Sequence, residues 1–280
     1  MKPHALVLLA HGTNRDNDVA EALTLAGAAP EIVPLNDLRD GRKAWSDFQM
    51  LVLPGGFSYA DALGAGKLLA IDLQAYFADE IHKFVEAGKP VIGICNGFQA
   101  LVKSGILPGT NVIARSREAA TKQSFVNEEI ASLPAAQVTR NDTATLTFNA
   151  KGHFECRWVS LRPVSQTCIW TRGLAELITC PIAHGEGNFQ TISHSLPPDL
   201  IAITYVKPDG TPANGEYPAN PNGSLLDIAG ITNPRGNVLG LMPHPENHIH
   251  AWQHPQRTRG AEWGSGLSLF RNGVKYAEAL

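Results

Sequence analysis

Cys95 lies in a segment whose pattern suits a catalytic nucleophile. The apolar run 91–94 predicts a buried strand, and the sequence Gly-Ile-Cys-Asn-Gly-Phe-Gln at 93–99 leads from it into a predicted helix. A nucleophile on a sharp strand-to-helix turn has a strained backbone and needs small neighbours, which Gly93 and Gly97 supply. The start of a helix also favours the thiolate, the reactive form of cysteine. The alternative is a buried structural cysteine on a glycine-rich turn.

A cysteine nucleophile requires a base, and one of the ten histidines stands out for that role. His244 follows the apolar run 238–242 and belongs to the sequence Pro-His-Pro-Glu at 243–246. Glu246 is two residues further on, so an alternating backbone sends both side chains to the same side. The pattern predicts a base together with the carboxylate that orients it. Taken alone, the same pairing is also typical of an ordinary loop.

A third segment supplies candidate hydrogen-bond donors. The apolar run 51–53 ends in Pro-Gly-Gly at 54–56, where no side chain shields the backbone N–H groups. Donors of this kind, with the N–H of Asn96 after the nucleophile, are what a tetrahedral oxyanion needs. Gly55 and Gly56 are therefore candidate oxyanion and substrate-binding residues, although a lone Pro-Gly-Gly is usually just a turn.

The elements around these segments alternate between strand and helix over the first hundred residues. This alternation predicts a mainly parallel sheet covered by helices on both faces. We predict strands at 5–10, 31–35, 48–53 and 90–94, with helices after residue 14, from about 63 to 87, and over 98–103.

The second half changes rhythm and predicts an antiparallel elaboration of the same α/β domain. Residues 137–165 alternate in the manner of antiparallel strands, with turn candidates at 141–142 and 151–152. Further strands are predicted at 201–206 and 225–242, a long loop at 207–223 and a final amphipathic helix at 266–280. We expect residues 1–280 to form one domain.

Charge and cysteine content exclude several classes of function. The formal net charge is −3 and no run of five basic residues occurs, so nothing points to nucleic acid or to an anionic membrane. No apolar stretch is long enough for a signal peptide or a membrane span. Four cysteines without a CxxC pair form no disulfide framework, which favours a cytoplasmic protein. Besides Cys95, the cysteines at 156, 168 and 180 are predicted to be small buried hydrophobic residues.

Together, the three segments resemble the class I (triad) glutamine amidotransferases. In that class a G-x-C-x-G-x-Q turn supplies the cysteine, and a distant P-H-P-E supplies the histidine and the glutamate. Longer stretches resemble the glutaminase subunits of phosphoribosylformylglycinamidine (FGAM) synthase, and they run through nearly the whole chain: 54–66, 95–99, 154–159, 181–187, 220–224, 227–231 and 242–246. The resemblance implies a flavodoxin-like class I glutamine amidotransferase domain.

The resemblance also implies thioester chemistry on L-glutamine. Cys95 would attack the side-chain amide carbon while the N–H groups of Gly56 and Asn96 hold the oxyanion. His244, oriented by Glu246, would protonate the departing ammonia and then activate water to release glutamate.

Further residues are assigned to the substrate pocket by the same resemblance. Gln99, with Gly55 and Gly56, is expected to line the glutamine pocket. His184 is expected in a loop, 184–186, near that pocket or near a partner interface. One departure stands in the first loop, where Arg15 follows Gly-Thr-Asn and the family often has cysteine. We expect it to affect how that loop packs or docks rather than catalysis.

The partners implied are a synthetase subunit and, as a further candidate, a small accessory subunit. The synthetase subunit would use ATP and Mg²⁺ to convert formylglycinamide ribonucleotide (FGAR) to FGAM in purine biosynthesis, with no cofactor and no metal on this chain. Residues 64–67 resemble the end of a phosphate-binding loop, but Asp61 stands where that motif requires glycine and Leu68 where it requires Ser or Thr. They are therefore interpreted as helix packing.

Several alternatives remain open at this point. Histidines at 244, 248, 250 and 254 suggest a metal site, which the prolines at 243, 245 and 255 make an unfavourable prediction. Another class I amidotransferase or a γ-glutamyl hydrolase would use a similar triad. A related cysteine peptidase commonly has histidine directly after the cysteine, where this chain has Asn96. A docking subunit with a decayed triad would be the non-enzyme alternative.

Overall fold

The computed structural model describes residues 2–109, 144–259 and 264–280. The described part is built from alternating strands and helices followed by a strand-rich region. The strands are β1 His4–Leu9, β2 Ala29–Pro34, β3 Met50–Leu53, β4 Val91–Ile94, β5 Ala144–Thr147, β6 Glu155–Pro163, β7 Ile178–His184, β8 Asn188–Thr191, β9 Ile201–Val206, β10 Ile228–Thr232 and β11 Val238–Leu241. The helices are α1 Asp16–Ala26, α2 Leu35–Arg39, α3 Lys67–Tyr76, α4 Ala78–Glu86, α5 Asn96–Lys103 and α6 Leu267–Ala277.

Nine of these strands form one sheet in the order β2-β1-β3-β4-β11-β10-β9-β6-β7. The strands from β2 to β11 in this order pair in parallel. The central strands β3, β4 and β11 are buried at every residue, as expected for a parallel sheet covered on both faces. The predicted α/β class and the parallel first half are confirmed.

The remaining strands of the sheet, β10, β9, β6 and β7, pair antiparallel, and β5 pairs antiparallel with β8 in a separate ribbon. This confirms the antiparallel elaboration. The predicted strand residues 137–143 and the turn at 141–142 lie outside the described residues. The strands β7 and β8 were not among the sequence predictions, although the alternating burial along β7 is typical of a half-covered strand.

The predicted helix over 63–87 is wrong in its start and in its continuity. Residues 63–66 precede the helix, and Leu63, Gly64 and Gly66 have positive φ angles of 66°, 110° and 67°. Phe77 then separates α3 from α4, with φ −133° and ψ 14°. Its ring is buried and packs against Trp45 at 5.5 Å between centroids, so core packing overrides the helical periodicity. Gly88, with φ 77°, follows the end of α4 as predicted.

The final helix, α6, begins within one residue of its predicted start and packs along α1. Its buried residues recur on one face and include Leu269, Phe270 and Val274. No helix in the described ranges 2–109, 144–259 and 264–280 is long and apolar enough to cross a membrane.

Candidate active site

The register of the parallel strands brings the three sequence segments to one edge of the sheet. Ile94 at the end of β4 pairs with Leu241 at the end of β11, and Leu53 at the end of β3 pairs with Gly93. The residues that follow these strands therefore meet beyond their carboxyl ends, where ligands bind in open α/β sheets. They are the segments 54–56, 95–99 and 242–246.

Cys95 occupies the strained turn that its flanking glycines predicted. Its φ of 50° and ψ of −106° lie outside the regions open to most residues, and α5 begins at the next residue. A Cβ on Gly97 would lie 2.0 Å from the carbonyl oxygen of Leu53, and one on Gly93 would lie 2.8 Å from the carbonyl oxygen of Gly97. Only glycine fits at either position. The two glycines therefore allow the close backbone approach that the turn between β4 and α5 requires at Cys95.

His244 and Glu246 form the predicted pair. Nδ1 of His244 lies 2.7 Å from Oε1 of Glu246, and both side chains are buried. The backbone N–H of His244 donates to the carbonyl of Pro181 at 2.8 Å, which fixes the turn against β7. A carboxylate on Nδ1 directs the other nitrogen, Nε2, towards reaction chemistry.

The charge state of His244 is set by its neighbours. Burial alone would lower its pKa, but the carboxylate of Glu246 and the thiolate and hydrogen bond of Cys95 outweigh burial and raise the pKa to about 10. His244 is therefore an imidazolium at neutral pH when the thiolate is present. The pair is poised to attack a carbonyl carbon and then to protonate a leaving amine.

Gly55 lies against both Cys95 and His244. A Cβ at this position would be 2.7 Å from Cε1 of His244 and 3.4 Å from Cβ of Cys95, so the backbone of the Pro-Gly-Gly turn borders both residues. Gly56 has a φ of 138°, which favours glycine. On the opposite side, the carbonyl of Ala183 lies 3.9 Å from Sγ of Cys95. The structure thus places Gly55 against Cys95 and His244, with Gly56 next to it in the chain and Asn96 directly after Cys95.

Asn96 and Gln99 are buried, and their side chains hydrogen-bond to protein atoms. The side-chain amide of Asn96 donates to Oδ1 of Asp61 at 2.8 Å and to Oε1 of Gln99 at 3.1 Å. Gln99 in turn donates to the carbonyl of Glu186 at 2.7 Å. The side chain of Gln99 therefore holds the β7–β8 turn next to the site, a contact that the sequence pattern did not predict.

His184 is buried at the end of β7 rather than in a loop, and the turn to β8 begins at Gly185. The prediction of a loop over 184–186 is therefore wrong at His184, because this residue still pairs with Glu155 of β6. Nδ1 of His184 lies 3.1 Å from Oδ1 of Asn149. Burial and the nearby charge of His244 lower its pKa to about 3, so His184 is neutral at physiological pH. Its Nε2 has no hydrogen-bond partner among the described residues.

Arg15 lies beside the Pro-Gly-Gly turn. Its backbone N–H donates to the carbonyl of Gly55 at 3.3 Å, and its side chain pairs with Asp18 at 2.9 Å on the first turn of α1. The residue that departs from the family pattern thus supports the turn through its backbone, which any residue except proline can do.

The histidines between 244 and 254 contact several different partners. Rings of His248 and His254 pack around Trp158 at centroid distances of 5.1 and 4.9 Å, while His250 pairs with Glu21 at 2.9 Å. Across the described residues, no group of three or more His, Cys, Asp or Glu side chains could hold a metal ion.

Of the three other cysteines, those at 168 and 180 are buried as predicted, whereas the one at 156 is exposed on β6, so its predicted burial is wrong.

An α/β sheet with a strained cysteine at a strand–helix turn, next to a histidine–carboxylate pair, is an arrangement that can break amide or ester bonds through a thioester. Residues 2–277 match the CobB/CobQ-like glutamine amidotransferase domain. The chain belongs to this family of glutamine amidotransferases.

Individual members of this family are similar to the chain over nearly its whole length. Phosphoribosylformylglycinamidine synthase subunit PurQ of Treponema denticola is 52% identical over 284 residues, covering 99% of both chains. The subunit of the same name from Dehalococcoides mccartyi is 39% identical and covers 100% of this chain and 99% of its own length. Among solved structures, a chain of PurLQS from Thermotoga maritima superposes with a TM-score of 0.70, at 31% identity and 99% coverage of both chains.

Proposed function

We propose that this chain is the glutaminase subunit of FGAM synthase. The observation that carries the proposal is the identity of 52% and 39%, over nearly the whole length of both chains, with relatives named for that subunit. The triad geometry supports the same function, since such a subunit must release ammonia from glutamine.

The residue roles follow from the geometry. Cys95 thiolate attacks the side-chain amide carbon of L-glutamine, and the backbone N–H groups of Gly56 and Asn96 stabilise the oxyanion. The His244 imidazolium gives its proton to the nitrogen that leaves as ammonia, which produces a glutamyl thioester and neutral imidazole. His244 then takes a proton from water as that water attacks the thioester, and glutamate departs with the thiolate restored. Glu246 holds the ring and stabilises each imidazolium state.

Other residues have supporting roles in this proposal. Gly55 has no side chain that would block the substrate from Cys95. Gln99 shapes the glutamine pocket by holding the β7–β8 turn. His184, a neutral acceptor buried close to His244, is proposed to border the same pocket. Residues 1–280 are proposed to act as one glutamine amidotransferase domain.

Ammonia must leave this chain for a synthetase subunit, which is the proposed partner, and a small accessory subunit is a further candidate. ATP and Mg²⁺ are proposed to act on the synthetase subunit during conversion of FGAR to FGAM. None of the four cysteines is in a disulfide, which supports a cytoplasmic location for a purine-pathway complex.

The test is release of glutamate from glutamine by the purified chain, alone and with an FGAM synthase synthetase subunit, FGAR, ATP and Mg²⁺. We expect release to rise sharply when the partner and its substrates are present, and a Cys95→Ala variant to release none. Absence of glutamate release under both conditions would contradict the proposal. An equal rate of glutamate release with and without the synthetase subunit would instead indicate an independent glutaminase or γ-glutamyl hydrolase.

A further inference from the structure

A strained loop runs from Gly56, one proposed oxyanion donor, to a contact with α5, whose first residue Asn96 carries the other. Residues 57–66 leave the Pro-Gly-Gly turn directly after Gly56 and end where Gly66 packs against α5, since a Cβ on Gly66 would lie 2.9 Å from Cβ of Gln99. Within this loop, Tyr59, Ala60 and Asp61 have φ angles of 55°, 54° and 52°. Consecutive non-glycine residues in this region cost on the order of 1 kcal/mol each, so surrounding contacts must hold the loop in place.

The side chain of Asn96 supplies those contacts. Its Oδ1 accepts the backbone N–H of Ser58 at 3.2 Å and also the Ser58 hydroxyl. Its Nδ2 donates to Asp61 at 2.8 Å and to Gln99 at 3.1 Å. An amide has two donor hydrogens and two acceptor lone pairs, so all four are used. A fully satisfied buried amide has one orientation, and the backbone of Asn96 is fixed with it.

The loop is joined to the site by a second set of contacts on its far end. Glu186, in the β7–β8 turn, accepts the backbone N–H of Ala65 at 3.2 Å, and Lys103 of α5 lies 3.5 Å from the same carboxylate. These groups are mostly buried, so their electrostatic interactions are weakly screened by solvent. The loop is therefore held at both ends against the helix that follows the nucleophile.

We propose that Ser58 and Asp61 are positioning residues that fix the distance between the Gly56 and Asn96 N–H donors by clamping the Asn96 side chain. Ser58 lies two residues after one donor and binds the side chain of the residue that carries the other. Asp61 closes the opposite side of the same amide. This inference rests on the proposed function, because it assigns the clamp a task only if an oxyanion forms at this site.

The clamp has a kinetic signature that differs from a general structural role. The oxyanion exists in the transition state and not in the bound ground state, so a looser oxyanion site lowers kcat and leaves KM nearly unchanged. Alkylation of Cys95 by iodoacetamide forms no oxyanion, and it depends on the thiolate and His244 instead. Damage to the clamp should therefore slow glutamine hydrolysis without slowing alkylation.

The test compares Asp61→Ala with Asp61→Asn and Ser58→Ala in the complex with the synthetase subunit. We expect kcat for glutamate release to fall about 10-fold or more in Asp61→Ala, since small displacements of oxyanion donors have effects of this size. KM for glutamine should stay within about threefold. Asn retains an acceptor for Asn96 and tolerates a positive φ, so Asp61→Asn should retain most of the activity. Ser58→Ala, which loses the hydroxyl but keeps the backbone contact, should fall between them.

Two controls distinguish loss of the clamp from general damage to the fold. Asp209→Ala removes an exposed aspartate that holds a turn through Thr211, and it should behave as the parent. Alkylation is read by mass spectrometry on the peptide that contains Cys95, because the thiol at 156 is exposed as well. Alkylation rates should agree within about twofold between the parent and Asp61→Ala.

Three results would overturn the inference: an unchanged kcat in Asp61→Ala, a parallel loss of alkylation, or an Asp61→Asn variant as slow as Asp61→Ala. A parent complex that releases no glutamate would contradict the proposed function itself, and the inference with it. The parent and variant measurements thus distinguish the two failures.

Discussion

Replacing Glu246 by Gln removes a negative charge from His244 while keeping an oxygen that can accept the Nδ1–H hydrogen. The pKa of His244 is raised to about 10 from an ordinary 6.5, against the opposing effect of burial. At 1.36 kcal/mol per pKa unit, the environment favours the imidazolium by about 5 kcal/mol. Glu246 is the first of the groups that raise this pKa, ahead of Cys95.

If Glu246 supplies about half of this preference, its charge is worth about 2–3 kcal/mol, or on the order of 50-fold in an equilibrium constant. The ratio of the thiolate–imidazolium pair to the neutral thiol–imidazole pair should fall by that factor in Glu246→Gln. Alkylation of Cys95 by iodoacetamide at pH 7 should then slow by up to about 50-fold. The rate is measured at several pH values between about 6 and 9 in both proteins.

The assay is the alkylation rate of Cys95 measured across that pH range, with Glu216→Gln as the matched control. Glu216 forms an exposed ion pair with Lys207 at 2.8 Å, and its removal should leave the alkylation rate unchanged. Because Oε2 of Glu246 has no hydrogen-bond partner among the described residues, a Gln amide there is left unpaired. A loss of about 1–3 kcal/mol in unfolding free energy is therefore expected alongside, and it is measured separately. Equal alkylation rates and pH profiles in the parent and Glu246→Gln would refute the reasoning.

Two further predictions concern stability. Gly97→Ala places a Cβ 2.0 Å from the carbonyl oxygen of Leu53, so it should lower the unfolding free energy by about 3 kcal/mol or more, measured by denaturant titration. Its control is Gly41→Ala, at φ 72° with open space around it, which should lower the unfolding free energy by about 1 kcal/mol in the same titration. Equal losses in the two variants would contradict the packing argument. His184 has a folded-state pKa of about 3 against 6.5 unfolded, so the unfolded chain binds more protons between these values and stability falls as pH falls through that window. From pH 6.5 to 5 this contribution amounts to about 2 kcal/mol, and His184→Gln should lose less stability than the parent over that interval. A variant with the same acid sensitivity as the parent would contradict the assignment.

The triad could be predicted from the sequence because each part has a local pattern. Cys95 has glycine on both sides at the required spacing, and His244 and Glu246 lie two residues apart after an apolar strand. Their meeting in space then follows from the pairing of β4 with β11 in a parallel sheet, which strand and helix alternation indicates only in general terms. The structure supplies the register that makes the meeting specific.

Contacts between distant side chains could not be predicted. In the sequence, Asp61 is notable only as a mismatch to a phosphate-binding loop, yet its carboxylate binds Asn96 across 35 residues of chain. The hydrogen bond from the amide of Gln99 to the carbonyl of Glu186 joins residues 87 positions apart, and no local pattern indicates it. The break at Phe77 escaped prediction because the apolar spacing continues through it, while the ring is drawn into the core by Trp45. Periodicity reports which face is buried and does not report such tertiary preferences.

The most direct test of the central claim is FGAM formation by the reconstituted complex containing Cys95→Ala, supplied with either glutamine or ammonium chloride. If Cys95 releases the ammonia that the synthetase subunit consumes, the variant complex forms FGAM from ammonium at the parent rate and none from glutamine. Formation of FGAM from glutamine at the parent rate would contradict the account.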